Sequence, residues 1–474
     1  MMAVLHWIYV VAAVVALFGA AIFVHEFGHY WVARRRGLKV EAFAIGFGPK
    51  IVGWVKDGID YSWRWIPAGG YVKLPQMLTS TALEGEAAEN AEKLPPVTPL
   101  SKILVAFAGP FMNVVFAIAV ASLLYVTGLP IPVNPPVIGY VEPGSMEAQQ
   151  GIQAGDRVIS VDGKNVDSWD DVQRLAIIAR TNVLAVAISR TDAATHKATT
   201  NVYQLATTNN EAIHAKVLNL DPQDHPVITL LKSGQPADKA GLKEGDVVMS
   251  FGNTPVYGQD HLVTLIQSVS NRPTEIVVER GTNKLSMTVT PAIDPSSKKG
   301  RIGVGLRNSF KYQVQHPGPL PWVNIGRVLE QTYETFGALL HSKQTGVGPG
   351  DLTGPIGILF VLASKVDTDY RLALDFLVLL NINLAMINLL PFPVLDGGHI
   401  LMSLIEWIRR RPVNVKVVEY ATTVFAVLLI SLMLYVSFGD VKRLSLFRSL
   451  FGQDVQIEQS VNTPAPSDTA PAKP

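Results

Sequence analysis

The feature that most constrains this 474-residue chain is a histidine motif at the end of an apolar run. The segment from Leu5 to Val24 is almost wholly apolar and leads directly into His25-Glu26-Phe27-Gly28-His29, with Arg34-Arg35-Arg36 close behind. A His-Glu-x-x-His sequence on a helix puts both imidazoles on one face, one turn apart, where they can share a metal ion. Because ionisable groups are costly at membrane depth, the motif predicts a metal site inside a bilayer-spanning helix.

A chance match is the alternative, since roughly one chain of this length in a hundred would contain the motif at this histidine content. Chance matches fall more often in soluble loops or on charged helix faces, so the apolar context favours the metal site. Glu26, between the two imidazoles, is then positioned to act on a metal-bound water. A third protein ligand is still required.

The composition indicates a membrane protein that also carries a soluble part, because 48% of the residues are hydrophobic, 17% are charged and the mean hydropathy is +0.25. A net charge of +1 gives no indication of nucleic-acid binding. The absence of cysteine excludes disulfides and thiolate ligands, so a metal would need His, Asp or Glu.

Four stretches are long enough to cross a bilayer, which requires about 20 residues. They are Leu5 to Ala33, Ile103 to Val126, Leu372 to Leu390 and Val417 to Phe438. Asn381, Asn383 and Asn388 interrupt the third and predict that it faces protein or a cavity. The first lacks the basic start and cleavage site of a signal peptide, so we interpret it as a retained span.

Basic residues predict the orientation. Arg34 to Lys39 follow the first span, and Arg409-Arg410-Arg411 with Lys416 separate the third from the fourth. The positive-inside rule places both clusters in the cytoplasm. Both termini and the segment from Gly128 to Tyr370 are then outside, and the metal motif lies near the inner face.

Two shorter regions have recognisable patterns. Phe43 to Trp54 and Tyr61 to Leu74 predict a small sheet of hairpins dipping toward the membrane, with a cytoplasmic cap as the alternative. Asn324 to His341 predicts an amphipathic helix, either along the outer membrane face or in the core of a soluble domain. The Pro/Ala/Thr/Ser-rich tail after Val461 is expected to be disordered.

The external segment contains a repeat, at 136–200 and 226–291, whose Gly-Asp turns begin 90 residues apart at Gly155 and Gly245. Both copies resemble circularly permuted PDZ domains of bacterial proteases. Such domains commonly take an extended peptide as an added strand. The candidate grooves are Val137 to Val141 and Val227 to Leu231, and the alternative is a rigid spacer or size filter without a peptide ligand.

The best candidate for the third ligand is Asp396, which follows Pro391 and Pro393 and precedes Gly397-Gly398. The prolines must break the third span, and the glycines permit a tight turn. Irregular backbone at this depth is tolerated only where it is buried in protein or lines a wet cavity. A carboxylate held there needs a cation. His399 is the alternative ligand.

The motif at His25 to His29, together with Asn388-x-x-Pro391-x-Pro393-x-Leu395-Asp396-Gly397, resembles the site-2 protease family of intramembrane zinc metalloproteases. The likeness extends from Leu5 to about Leu450 and is closest to bacterial members with four spans and two tandem external PDZ modules. Further matching segments are Gly69-Gly70-Tyr71-Val72-Lys73, Gly109-Pro110-Phe111-Met112-Asn113 and Leu352-Thr353-Gly354-Pro355-Ile356-Gly357.

The resemblance implies zinc held by His25, His29 and Asp396, with Glu26 activating water. It also implies an edge strand that pairs with substrate and an asparagine that holds the substrate backbone. The implied substrate-binding residues are Gly70, Tyr71, Val72, Asn113, Asn388, Pro391 and Pro393.

The implied fold class is a multi-domain membrane protein with an α-helical core of four spans, a small membrane-associated β-sheet and two tandem β-rich PDZ domains. The expected domains are 1–36 (first span), 37–100 (β region), 101–128 (second span), 129–220 and 221–295 (PDZ modules), 296–370 (linker with the amphipathic helix), 371–411 (third span with the third ligand), 412–440 (fourth span) and 441–474 (tail).

The implied activity is endoproteolysis of single-span membrane proteins in the bacterial inner membrane, as part of envelope stress signalling. Expected substrates are a membrane-bound anti-sigma factor already trimmed by another protease, and remnant signal peptides. The expected partners also include the lipid bilayer and peptide tails at the PDZ grooves, but not nucleic acid. A silent PDZ scaffold and a metal-dependent transporter are the rival hypotheses, weakened by the intact motif and by the lack of an inverted repeat.

Overall fold

The protein is described from a computed structural model over residues 2–77, 94–95, 97–191, 197–210, 215–294, 298–308, 312–411, 413–442 and 457–459. The tail after Val461, predicted to be disordered, lies outside these residues. The chain divides into two compact units. The first comprises Met1–Leu129, His316–Thr332 and Gly350–Phe447, and the second comprises Pro130–Gln315, Tyr333–Pro349 and Arg448–Pro474.

The helices and strands follow one another in distinct blocks. The helices are α1 (Met2–Arg35), α2 (Pro99–Thr127), α3 (Met146–Gln149), α4 (Trp169–Ile178), α5 (Pro236–Lys239), α6 (Gln259–Ser268), α7 (Pro321–Leu340), α8 (Ser342–Thr345), α9 (Pro355–Thr368), α10 (Tyr370–Asn388), α11 (Asp396–Arg409) and α12 (Val415–Lys442). The strands are β1 (Ala42–Lys56), β2 (Ile59–Lys73), β3 (Leu129–Pro132), β4 (Ile138–Val141), β5 (Arg157–Val161), β6 (Lys164–Asn165), β7 (Val183–Thr191), β8 (Ala198–Ala206), β9 (Thr208–Asn210), β10 (Ala215–Val217), β11 (Leu220–Pro222), β12 (Pro226–Leu231), β13 (Val247–Phe251), β14 (Thr254–Pro255), β15 (Thr274–Arg280), β16 (Asn283–Val289), β17 (Ala292–Ile293), β18 (Gly300–Arg301), β19 (Val304–Asn308), β20 (Tyr312–Gln315) and β21 (Ile457–Gln459).

Four helices of the described chain, α1, α2, α10 and α12, are long and apolar enough to cross a membrane, and they coincide with the four predicted stretches. The 34 residues of α1 extend over roughly 50 Å at 1.5 Å per residue. On α12 the side chains of Val427, Leu428 and Ile430 are more than half exposed. An apolar helix exposed in this way needs lipid around it.

Helix α2 is the centre of the first unit, because it packs against α1, α10 and α11. Thr98 caps its start by accepting a hydrogen bond from the backbone N–H of Ser101, next to Pro99 at the first helical position. Small residues such as Ala117 and Ala121 are fully buried on it and let the neighbouring helices approach closely. An ion pair of 2.9 Å between Lys102 and Glu406, each less than a fifth exposed, joins α2 to α11.

Strands β1 and β2 form the predicted sheet of hairpins, in one antiparallel pair with repeated shifts of register. The segment 42–45 of β1 pairs on one side with 60–63 and on the other with 70–73, both from β2. The segment 70–73 therefore lies at the outside of this small sheet. Large apolar side chains such as Trp54, Val55 and Trp65 are more than 60% exposed, as expected of a sheet in contact with lipid.

The second unit contains the predicted repeat. Each copy has a strand, a one-turn helix, a strand, a longer helix and then a hairpin, in the order β4, α3, β5, α4, β7, β8 and again β12, α5, β13, α6, β15, β16. Arg190 donates to both carboxylate oxygens of Asp156 at 2.6 Å, and Arg280 makes the same pair with Asp246 at 2.7 and 2.8 Å. The turn of each Gly-Asp pair is thus held to the following hairpin by the same ion pair.

The two copies also contact one another. The imidazole of His261 on α6 stacks on Tyr140 of β4, with ring centroids 4.1 Å apart. The backbone N–H of His261 donates to the carboxylate of Asp221 at 3.0 Å. Burial, followed by the neighbouring Asp260 carboxylate, raises the pKa of Asp221 to about 7. The junction between the copies therefore contains the buried carboxyl group of Asp221.

Each strand predicted as a candidate groove pairs with a later strand of the same copy. Strand β4, at Ile138–Val141, pairs with β11, and β12, at Pro226–Leu231, lies between β13 and β19. One edge of each candidate groove, at Val137 to Val141 and Val227 to Leu231, is therefore paired with a strand of the same copy. The physical reason is that the strand closing each copy returns to pair with its first strand. In the described residues, β19 is the last strand on that side of its sheet.

Candidate metal centre

Helix α1 positions the first two candidate ligands one turn apart. The imidazoles of His25 and His29 have ring centroids 4.8 Å apart and their Nε2 atoms are 3.2 Å apart. The helix has no proline or cap that could interrupt it at this point, since it continues to Arg35. Both Nε2 atoms consequently face the same small volume.

The third candidate ligand comes from the break between α10 and α11. Helix α10 ends at Asn388, before the two prolines, and α11 starts at Asp396. A Cβ on Gly397 would lie 2.3 Å from the Leu389 carbonyl oxygen, and one on Gly398 would lie 2.2 Å from that of Phe392. Only glycine therefore lets the new helix start so close to the end of the previous one.

This turn brings Asp396 to the two imidazoles. Its Oδ2 lies 3.3 Å from Nε2 of His25 and 3.4 Å from Nε2 of His29. Asp396 is the first residue of α11, where the helix dipole favours a carboxylate. One atom from each of the three side chains lies within 4.8 Å of the others, and the alternative ligand His399 is not part of this group.

The three residues fit a divalent metal. Within the described chain, Asp396 Oδ2 is buried without a hydrogen-bond partner, which is costly unless a cation balances it. Two imidazole nitrogens and one carboxylate oxygen are a donor set that zinc accepts, and three protein ligands leave one position open. The arrangement is thus suited to a catalytic and not to a closed structural site.

Glu26 lies beside this group and is 8% exposed. A Cβ on Gly70 would approach its Cγ to 2.7 Å, so β2 passes directly against the glutamate. A Cβ on Gly70 would also lie 2.8 Å from the Ala44 carbonyl oxygen. The predicted edge strand is therefore adjacent to the predicted base, and glycine is needed where they meet.

Helix α2 forms another wall of the site. A Cβ on Gly109 would lie 2.2 Å from Nε2 of His29 and 2.9 Å from Cε1 of His25. Where the helices cross, a Cβ on Gly28 would lie 2.4 Å from the Ala108 carbonyl oxygen. Both glycines allow a close approach of α1 and α2, and any side chain at Gly109 would occupy the space between the imidazoles.

The far sides of both imidazoles also contact α2. Nδ1 of His29 is 2.8 Å from the carbonyl oxygen of Val105, and Nδ1 of His25 is 3.1 Å from the side-chain nitrogen of Asn113. Asn113 is fully buried. The family resemblance implies substrate binding for Asn113, and in the structure its side chain contacts a candidate ligand.

The other predicted substrate-binding residues lie on the strand and turn around the site. Tyr71 and Val72 follow Gly70 on β2 and are half-buried, with the Tyr71 ring stacked on Phe47 at 6.3 Å. Asn388 ends α10 and is half-buried, while Pro391 is exposed and Pro393 half-buried in the turn.

The sequence did not identify three contributions to this site. These are Gly109 as the space for the imidazoles, the Val105 carbonyl as a partner of His29, and the Lys102–Glu406 pair that fastens α11. A glycine and an asparagine four residues apart in an apolar span were the available signal for Gly109 and Asn113. A backbone carbonyl leaves no such signal.

Comparison with known proteins identifies the family. The model of peptidase family M50 matches residues 13–432. The chain belongs to this family. It is an intramembrane metalloprotease of the site-2 protease type, as the resemblance of its motifs implied.

Relatives match over almost their full length. A Vibrio cholerae protein named as a zinc metalloprotease is 31% identical over 465 residues, covering 92% of this chain and 98% of its own. Protease RseP of Yersinia pestis is 32% identical, covering 91% and 98%. The regulator of sigma-E protease RseP of Escherichia coli is 29% identical, covering 93% and 100%. A solved PDZ domain from Listeria monocytogenes is 20% identical over 18% of this chain and 87% of its own, but its TM-score of 0.16 supports no argument.

Because α2 lies against the two imidazoles, one methyl group added at Gly109 is expected to have a strong effect on zinc binding. Gly109→Ala is expected to lower zinc affinity at least about tenfold, because its Cβ would displace the His29 imidazole. Gly19→Ala is the matched control, since a Cβ there meets no atom within 4 Å. Zinc binding measured by competition with a chromogenic chelator checks the prediction. Equal affinities in the two variants would contradict it.

Proposed function

We propose that this chain is a zinc-dependent endopeptidase of the bacterial inner membrane that cleaves the spanning segments of single-span membrane proteins. The observation that carries the proposal is the meeting of His25, His29 and Asp396, from segments about 370 residues apart, next to Glu26. His25, Glu26 and His29 lie on the apolar helix α1, and Asp396 lies at the start of α11, after the turn that follows α10. Names of relatives as zinc metalloproteases support zinc as the ion.

In the proposed mechanism, His25, His29 and Asp396 would hold the zinc ion. Bound there, zinc would supply a Lewis acid that polarises the scissile carbonyl and lowers the pKa of a water molecule to about 7. Glu26 takes a proton from the attacking water and passes it to the leaving amine. The burial of Glu26 beside β2 supports this role, because it keeps the carboxylate next to the peptide being cut.

The substrate must be unwound before it can react. The backbone of a spanning helix is shielded by its own hydrogen bonds, and no water replaces them in lipid. We propose that the opened segment pairs with the edge at Gly70, Tyr71 and Val72, which restores those bonds. Asn388, at the end of α10, would hold the substrate backbone from the other side, and Pro391 and Pro393 would line the turn.

The relatives' names suggest the pathway. Proteins from Yersinia pestis and Salmonella typhimurium are named as protease RseP and regulator of sigma-E protease. We propose the same class of substrate here, namely a membrane-bound anti-sigma factor already trimmed by another protease, together with remnant signal peptides. The repeat in the second unit, proposed as two PDZ modules, would exclude substrates whose external domain is intact. It would also take peptide tails at the PDZ grooves.

The proposed orientation follows from the basic clusters after α1 and between α11 and α12. Both termini and the repeats would be periplasmic, and the metal centre would lie near the cytoplasmic side. The basic residues at Arg34, Arg35 and Arg409 end their helices, where cations also favour the helix dipole.

The test is a cleavage assay with purified protein in lipid vesicles. We expect a single-span substrate with a short external segment to be cut within its span, and a zinc chelator to stop the reaction until zinc is restored. The same substrate carrying a folded external domain is the control and is expected to be cut much more slowly. Cleavage only in exposed loops, or cleavage that continues after removal of all metal, would contradict the proposal.

A further inference from the structure

The protons on the two imidazoles must be arranged before either can bind a metal. The Nε2 atoms of His25 and His29 face Asp396, so Nε2 is the ligand atom of both. An imidazole that binds through Nε2 carries its proton on Nδ1, and this N–H needs an acceptor. Two acceptors are therefore required on the far side of the rings, where α2 lies.

For His29 the acceptor is unambiguous. Its Nδ1 lies 2.8 Å from the Val105 carbonyl oxygen, which can only accept. The bond fixes the proton on Nδ1 and leaves the Nε2 lone pair for the metal.

For His25 the acceptor depends on how one amide is turned. The side-chain nitrogen of Asn113 lies 3.1 Å from Nδ1 of His25, and in the described chain the amide oxygen of Asn113 is buried without a hydrogen-bond partner. When the amide nitrogen of Asn113 faces the ring, it donates to Nδ1 of His25. A neutral imidazole then carries its own proton on Nε2, where the proton blocks metal binding. A half-turn of the amide presents the oxygen to Nδ1–H instead.

The half-turn of the Asn113 amide resolves both the unpaired amide oxygen and the unsuitable tautomer of His25. The amide oxygen, which costs about 1–3 kcal/mol when buried unpaired, gains a donor. His25 gains the tautomer that frees Nε2. The same histidine is then held from α2 as firmly as His29 is held by Val105.

We propose that Asn113 is a positioning residue of the metal centre, whose amide oxygen accepts from Nδ1–H of His25 and so fixes the ring for zinc. The inference rests on the proposed function and gives Asn113 a role beside the substrate binding that the family resemblance implies. It also accounts for the spacing of Gly109 and Asn113, one turn apart on α2. The glycine makes room for the rings, and the asparagine orients one of them.

The test compares two substitutions in the full-length protein. Asn113→Leu keeps the branching and the number of side-chain heavy atoms but offers no acceptor, and it is expected to weaken zinc binding about 10–100-fold. Asn113→Asp restores an acceptor and is expected to stay within about threefold of wild type, because carboxylates commonly orient metal-bound histidines. Zinc affinity by chelator competition is the readout, and the visible absorption of the cobalt-substituted proteins reports the ligand geometry.

A matched control separates this role from simple packing. Asn381 on α10 is also fully buried, donates to the Leu377 carbonyl and has an unpaired oxygen, but it does not contact a candidate ligand in the described chain. Asn381→Leu is expected to keep wild-type zinc affinity and an unchanged cobalt spectrum.

The outcomes are distinct. Weakened binding in Asn113→Leu with recovery in Asn113→Asp supports the proposal. Unchanged binding in Asn113→Leu overturns it, and so does equal weakening in both variants, which would indicate packing alone. If the wild-type protein itself binds no zinc, the proposed function fails together with this inference.

Discussion

Glu26→Gln is expected to lower the rate of cleavage of a spanning substrate by about two to four orders of magnitude, the usual contribution of a general acid–base. The amide has the size of the carboxylate but cannot take a proton from water. Because Glu26 is not one of the grouped ligand residues, zinc stoichiometry should remain that of the wild type. Single-turnover cleavage and metal analysis of the same preparation measure both quantities.

The matched control for this prediction is Glu330→Gln, at an exposed glutamate of α7. It makes the same chemical change away from the metal centre and should leave the rate unchanged. Undiminished cleavage by Glu26→Gln would exclude Glu26 as the base. Loss of zinc in that variant would show that the glutamate is instead a ligand.

Asp396→Ala is expected to lower zinc affinity by more than about a hundredfold, beyond the 10–100-fold typical of residues that only orient ligands. It removes the oxygen that lies 3.3 and 3.4 Å from the two imidazoles. Cleavage should be lost with the metal. Competition with a chelator of known affinity measures the change, and excess zinc should restore little activity because the site would be one ligand short.

His399→Ala is the control for the Asp396 variant, because His399 lies three residues further along α11 and was the alternative ligand. It should retain zinc and activity, since His399 is outside the group of three ligand atoms. The opposite pattern, with zinc lost from His399→Ala and kept by Asp396→Ala, would exchange their roles.

The apolar helices were predictable because the bilayer imposes length and hydropathy on them. The four stretches predicted from the sequence coincide with α1, α2, α10 and α12, with ends differing by several residues. The end of α10 before Pro391 and the start of α11 at Asp396 follow from proline chemistry. The repeat was also visible, because the Gly-Asp turn recurs at a fixed distance.

The pairing of the strands could not be predicted from the sequence. Each repeat closes with a strand that returns to its own first strand, and this pairs one edge at Val137 to Val141 and at Val227 to Leu231. Alternation of apolar residues identifies a strand and its buried face, but it does not identify the neighbour along the edge.

The candidate ligands were predictable, and the residues that arrange them were not. The His-Glu-x-x-His spacing fixes two ligands on one helix face, and a buried Asp after a broken span is a natural third. The roles of Gly109, Val105 and Asn113 depend on how α2 crosses α1, which no local pattern in either helix encodes. The space at Gly109, the position of the Val105 carbonyl and the orientation of the Asn113 amide are set only when the helices pack together.

The most direct test of the account is a structure of the zinc-loaded protein with anomalous scattering measured at the zinc edge. We expect one ion bound by Nε2 of His25 and His29 at about 2.0–2.1 Å and by a carboxylate oxygen of Asp396 at about 2.0–2.2 Å. A zinc peak at other residues, or one that leaves Asp396 uncoordinated, would contradict the account.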